Sequence, residues 1–140
     1  MREALASPFE RDLLLRMHKQ LGELLAKLGP LKQGRSFAAA SALLGDAYRG
    51  LFGLDRRFLQ MMQPAQVAAI LGSAEKLVAF AQLIAEEADL LRLQGDAEST
   101  AAMARWMVRI LEEGRVREDA LEVRTLFARL RTMGQLGAGR

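Results

Sequence analysis

From Phe9 onward the apolar residues Phe9, Leu13, Met17, Leu21, Leu24 and Leu28 recur at intervals of three and four, while Arg11, Arg16, Lys19, Glu23 and Lys27 fall largely elsewhere. That period sets the first group on one face of a helix. Ser7-Pro8-Phe9-Glu10 supplies its start: a capping hydroxyl, a proline suited to the first turn, and a carboxylate placed to return the bond. Gly29-Pro30 predicts a stop or a kink, because proline has no amide to donate. A second helix is predicted from Phe37 to Phe52, with Ser36 as cap, Gly53 just past the end, and Phe37, Ala40, Leu44, Ala47, Tyr48 and Leu51 on its buried stripe. Gly45 and Gly50 lie inside that pattern at a cost of somewhat under about 1 kcal/mol each relative to Ala, so close helix packing is expected there to offset it.

Between Leu54 and Gly72 the signals shorten. Asp55 can cap a helix through Met62, and Pro64 can open another that ends at Gly72. A long helix follows from Ala74 to Gln94, with Leu77, Phe80, Ala81, Ile84, Ala88 and Leu91 on one face and Glu75, Glu86, Glu87 and Asp89 on the polar one. Gly95 is expected at positive φ, since one residue must stop that helix before Asp96 caps the next. The next helix runs from Ala97 to Glu113 with Ala101, Ala104, Met107, Ile110 and Leu111 as its stripe, Trp106 off centre, and Gly114 at its end. A last helix is predicted from Val116 to Met133, carrying Ala120, Val123, Phe127 and Leu130. Residues 134–140 have no periodicity and are expected to form a flexible tail on a single helical domain spanning 1–133.

Leu and Ala dominate the 140 residues, and there are three Pro and no Cys. This favours an all-α class with a core that needs no covalent staple. The missing Cys excludes disulfides, thiolate metal sites and thiol nucleophiles. No apolar run approaches the roughly 20 residues a membrane span needs, and a cytoplasmic location is expected. The net charge of +3 divides into basic ends and an acidic middle, which is a common pattern for solvated faces.

Two stretches, Leu24 through Leu51 around Gly34 and Ile84 through Leu111 around Gly95, have a helix, a tight turn and an Ala-rich helix in succession. This resembles the tetratricopeptide helical hairpin, in which small residues let two helices approach closely. Ala88, Leu91 and Gly95 fall at the motif's spacings. Glu87 stands where the motif has an apolar residue, and Pro30 interrupts the first copy. The order of signals, including Asp12-Leu13-Leu14-Leu15-Arg16-Met17, Gly53-Leu54-Asp55 and the late hairpin, is similar to a family of small uncharacterised bacterial helical proteins of tetratricopeptide-like character. The resemblance implies stacked antiparallel hairpins, about five main helices with short connecting ones, and no particular activity.

Little in the chain points to catalysis. His18 is the only histidine and lies among Arg16, Lys19 and Gln20, without an orienting partner or a nearby nucleophile. Glu86, Glu87 and Asp89 lack the Glu-to-His spacing of a di-metal bundle and read as a solvated face. No glycine loop has phosphate-cradling spacing. The expectation is therefore a non-enzymatic protein–protein interaction or scaffold module with no cofactor and no metal. Its stack would leave apolar end faces open to a protein partner or to a second copy in a homodimer. Leu14, Leu25, Leu83, Met103 and Trp106, apolar but off the main stripes, are the candidate interface. The alternative is a nucleic-acid-associated regulator using Arg105, Arg109, Arg124 and Arg131. Interleaved Glu112, Glu113, Glu118, Asp119 and Glu122 disfavour it by blunting the field.

Overall fold

The computed structural model describes residues 7–137. Among them are seven α-helices and no strand: α1 Pro8–Gln33, α2 Phe37–Phe52, α3 Arg56–Gln60, α4 Pro64–Leu71, α5 Ala74–Leu93, α6 Ala97–Glu113 and α7 Leu121–Gly134. At the head of α1 the capping box closes as the sequence dictates. Ser7 Oγ accepts from Glu10 N at 3.0 Å, and Glu10 Oε1 accepts from Ser7 N at 3.3 Å. The helix does not stop at Pro30 but runs on to Gln33. Pro30 sits in the last turns on an exposed flank, so the amide it lacks leaves unpaired only a carbonyl that water can reach.

Other boundaries differ for local reasons. α3 ends at Gln60 rather than Met62. α7 begins at Leu121 rather than Val116, because Arg115 takes a left-handed conformation (φ 56°) and directs the chain away from a helical path. Ala120 is thereby an exposed N-cap and not part of a buried stripe. Of the expected tail, Gly134 belongs to α7 and is buried, while 138–140 lie outside the described residues.

Three helix ends use one device. Ser36 N donates to Leu31 O at 2.8 Å, Asp96 N to Leu91 O at 2.9 Å, and Val116 N to Leu111 O at 3.0 Å. Each of these bonds spans a left-handed residue, the Schellman geometry that satisfies orphan carbonyls. Gly95 has the expected positive φ, 84°, but the other two positions hold Arg35 and Arg115, both at 56°. Gly114, just before Arg115, has an ordinary backbone and is there for another reason: a Cβ on it would lie 2.5 Å from Leu77 Cδ1. Gly45 and Gly50 are not sites of close helix packing. A Cβ on Gly50 would meet nothing within 4 Å, and one on Gly45 only the Arg49 guanidinium at 3.8 Å.

The three-residue turns make hairpins of α1 with α2 and of α5 with α6. α5 packs on both helices of the first hairpin, α7 packs on both helices of the second, and α4 lies against α6 and α5. The two hairpins run in matching register: Leu24, Leu28, Ala40 and Leu44 are buried, and so are their counterparts Ile84, Ala88, Thr100 and Ala104. Thr100 is accommodated because its hydroxyl donates within the hairpin, 2.8 Å from Asp96 O and 3.2 Å from Ala88 O. Alanines at 81, 85, 88, 101 and 104 keep the α5–α6 contact thin. α5 is the central element, and around its Phe80 the rings of Tyr48, Phe52 and Trp106 stand edge-on at 5.7, 5.5 and 6.2 Å. Burying each large apolar side chain here contributes about 1.5–3 kcal/mol, so the core rather than any single cap holds the stack.

Candidate functional site

The acidic group on α5 is not a solvated face. Glu86, Glu87 and Asp89 lie at the junction of the two hairpins, each with its side chain 15% exposed, and every one is matched by a cation or a hydroxyl from another helix. Lys32 Nζ of α1 reaches Glu86 at 2.7 Å and Asp89 at 2.6 Å. Arg129 of α7 holds the second Glu86 oxygen at 2.8 Å, and Arg92, one turn on, holds Asp89 at 2.7 Å. Burial opposes ionisation of both carboxyls, but the bonds from Arg129 and Lys32 to Glu86, and from Lys32 and Arg92 to Asp89, outweigh it. Both are held below the usual carboxylate range.

Glu87 faces the other side, toward α2 and α3. Tyr48 Oη donates to it at 2.8 Å and Arg56 Nε at 3.0 Å, while Arg56 also bonds Gln60. Burial, then the charge and the bond of Glu87, push the Tyr48 hydroxyl well above its ordinary range. Tyr48 is thus a fixed proton donor and unsuited to base chemistry at neutral pH. Above this cluster opens a cleft of about 580 Å³ floored by Ala38, Ser41, Ala42 and Gly45 of α2. The charges along its wall are balanced, since Arg49 pairs with Asp46 at 2.7 Å and Arg56 with Glu87 at 2.5 Å. Among the described residues no three His, Asp or Glu side chains converge as metal ligands, and no helix is long and apolar enough to cross a membrane.

The candidate interface residues do not form one surface. Leu83 and Met103 are core residues at 0% and 5% exposure, which corrects their reading as contact residues: α5 is packed by α1, α2, α4 and α7, and α6 by α4 and α7 as well as by α5. Leu14, Leu25 and Trp106 are half-buried. The Trp106 indole N–H is enclosed without a hydrogen-bond partner among the described residues. The exposed large apolar side chains lie elsewhere: Phe58, Met61, Ile70 and Leu121 on or beside α3, α4 and α7, and Phe9 (71%), Leu13 (37%) and Leu15 (67%) together on the first turns of α1. α1 has 26 residues against the 16 of α2, so these turns extend past the end of the partner helix. Beside them a groove of about 280 Å³ runs between α1 and α2, lined by Leu24, Leu43, Ala47 and Leu51 with Glu23 and Lys27 on its rim.

The four candidate arginines are all exposed, but two are committed within the fold. Arg105 donates to Gly134 O at 2.6 Å. Arg131 makes a bidentate pair with Glu118 at 3.0 and 2.9 Å and stacks over Phe127. Arg109 and Arg124 form no salt bridge among the described residues. No family model, no curated protein and no solved structure matches this chain.

Proposed function

We propose that this chain is a non-enzymatic protein-interaction module, and that it meets its partner at the open end of the stack formed by α1 and α2. The observation that carries this reading is the unequal finish of the two ends. The α1 end leaves Phe9 and Leu13 exposed on the face that leads into the α1–α2 groove, with Leu15 on the same turns, whereas α7 exposes one large apolar side chain, Leu121, and otherwise presents Arg124, Thr125, Ala128, Arg131 and Thr132. Terminal elements of helical stacks are polar outside when nothing covers them, and contiguous apolar surface marks a contact. A tetratricopeptide-like order is supported by α5 seated across both helices of the first hairpin and α7 across both of the second. The arginine surface favours a nucleic-acid reading less, because Arg105 and Arg131 already serve internal carbonyl and carboxylate groups.

The test is site-specific photocrosslinking in cells of the native host, with the probe at Leu13 or Leu43 and a control probe at Thr125. Adducts are expected from the first two positions and not from the third. Adducts from Thr125 alone, or from none, would remove this assignment of the contact surface. Titration with labelled duplex DNA and RNA at low salt, where phosphate contacts are strongest, completes the comparison.

A further inference from the structure

Between α2 and α5 the chain does not turn directly, and the first part of that connection, residues 54–62, is tied down at few points. Its backbone hydrogen bonds are local. Phe58 N and Leu59 N donate to Asp55 O, Met61 N to Phe58 O and Met62 N to Leu59 O, and among the described residues none crosses to another helix. Asp55 Oδ1 accepts from Arg57 N at 2.9 Å, again within the segment. Of its side chains only Leu59 is fully buried, at 1%, with Leu54 and Met62 half-buried, while Arg57, Phe58, Gln60 and Met61 face solvent. Among the described residues one polar tie leaves the segment: Arg56 donates to Glu87 of α5 through Nε at 3.0 Å and through a second nitrogen.

Both ends of the segment are finished without it. Gly53 closes α2 in the left-handed region at φ 69°, its N–H donating to Arg49 O at 2.9 Å. α4 opens on its own cap, with Gln63 N donating to Gln66 Oε1 at 3.0 Å and Pro64 buried. Residues 54–62 can therefore leave the body without unravelling either neighbour. We infer that they form a strap that lifts as a unit while the hairpins stay folded, latched by Arg56 on Glu87, and that this strap gates the cleft beside Tyr48. Asp55, Arg56 and Arg57 are its side of that cleft, and Ala38, Ser41, Ala42 and Gly45 are the fixed floor. When the strap lifts, the cleft loses a wall and the Glu87 carboxylate meets water. Tyr48 Oη donates to the same carboxylate at 2.8 Å, so Glu87 keeps a partner when Arg56 withdraws. Phe58 and Met61, already exposed, lose nothing. Opposition to lifting rests chiefly on Leu59 and on the latch.

Amide hydrogen exchange on the purified full chain, read residue by residue by NMR in urea below the unfolding transition, tests the opening. The Leu59 and Met62 amides should exchange at least about tenfold faster than that of Ala104 in α6, and should respond little to urea because lifting exposes little surface. Arg56→Ala should speed both sets by one common factor, since the latch is broken in the lifted state as in the unfolded one, and Glu87→Gln provides a second reading of the same bond. A chain without Cys allows a single thiol to report the lifting itself. Although Leu59 and Ala104 are buried alike, Leu59→Cys should react with a thiol reagent at least about tenfold faster than Ala104→Cys. Strap amides that exchange only at the rate and with the urea dependence of α6 overturn the proposal. So do strap amides indifferent to both latch variants while α6 speeds up, which marks fraying beneath a closed latch, or a Leu59→Cys thiol as slow as that of Ala104→Cys.

Discussion

Replacing Gly95 with Ala isolates the cost of the left-handed turn, because a Cβ there would meet nothing within 4 Å and the φ of 84° is the sole obstacle. For an L-residue that conformation costs roughly 1–2 kcal/mol, and part of this is returned because Ala restricts the unfolded chain by about 0.4–1 kcal/mol. A net loss of about 0.5–1 kcal/mol is expected. Arg115 is the mirror experiment. It already bears the strain at φ 56° and makes no hydrogen bond through its side chain among the described residues, so Arg115→Gly should gain a similar amount. Arg35→Gly should gain less, because the Arg35 guanidinium also lies over the Phe37 ring at 5.0 Å and reaches Leu93 O at 3.3 Å. Each kcal/mol moves the melting point of a domain of this size by about 4 °C. Urea and thermal unfolding followed at 222 nm would resolve the three variants. A Gly95→Ala protein as stable as the parent, or an Arg115→Gly protein less stable, would refute the strain argument.

Acid should dismantle the α5 junction. Because Glu86 and Asp89 are held below the range they have in the unfolded chain, their stabilisation is present above an unfolded value of about 4 and is lost as pH falls through their lower folded values. Unfolding free energy should therefore drop steeply below about pH 4, and Glu86→Gln should flatten that slope in a urea–pH series. Arg56→Ala should cost about 1–3 kcal/mol in urea unfolding by leaving the half-buried Glu87 to Tyr48 alone, and Arg56→Ala with Glu87→Leu should recover most of it. Gly45→Ala should stabilise by about 0.5–1 kcal/mol through helix propensity, as its new methyl meets only ordinary contact distances. Gly114→Ala should destabilise by about 1–3 kcal/mol in the same assay, since Leu77 must move to admit it.

Where the physics is local the chain was readable. The bounds of α2 and α6, the capping box at Ser7 and the positive φ of Gly95 all follow from periodicity and turn chemistry. The start of α7 was not, because Arg117, Glu118 and Ala120 are good helix formers and the left-handed Arg115 carries no sequence mark. Pro30 misled in the opposite sense, as a proline in a last exposed turn forfeits only one bond. The acidic junction was hidden because a helix wheel shows one helix's faces and not what docks on them. Two signals did point to it: the misfit of Glu87 with the hairpin motif, and Tyr48 on a buried stripe, where a phenol needs an acceptor. Phe9 and Leu13 of the α1 head were read as part of the buried stripe because the period of one helix does not say which of its turns a partner covers.

The placement of those three acids also bears on how the chain assembles. They are three carboxylates within four positions near the C-terminal end of α5, where they repel one another and only Arg92 of the same helix pairs with one of them. α5 alone is thus a poorer helix in its C-terminal half, and apart from its own Arg92 the cations that relieve it come from α1 (Lys32), α3 (Arg56) and α7 (Arg129). The central helix is completed only as these neighbours arrive, which couples its formation to docking of sequence-distant segments. Folding should accordingly be a single concerted step, with α5 protected from amide exchange only to the extent that the whole stack is formed.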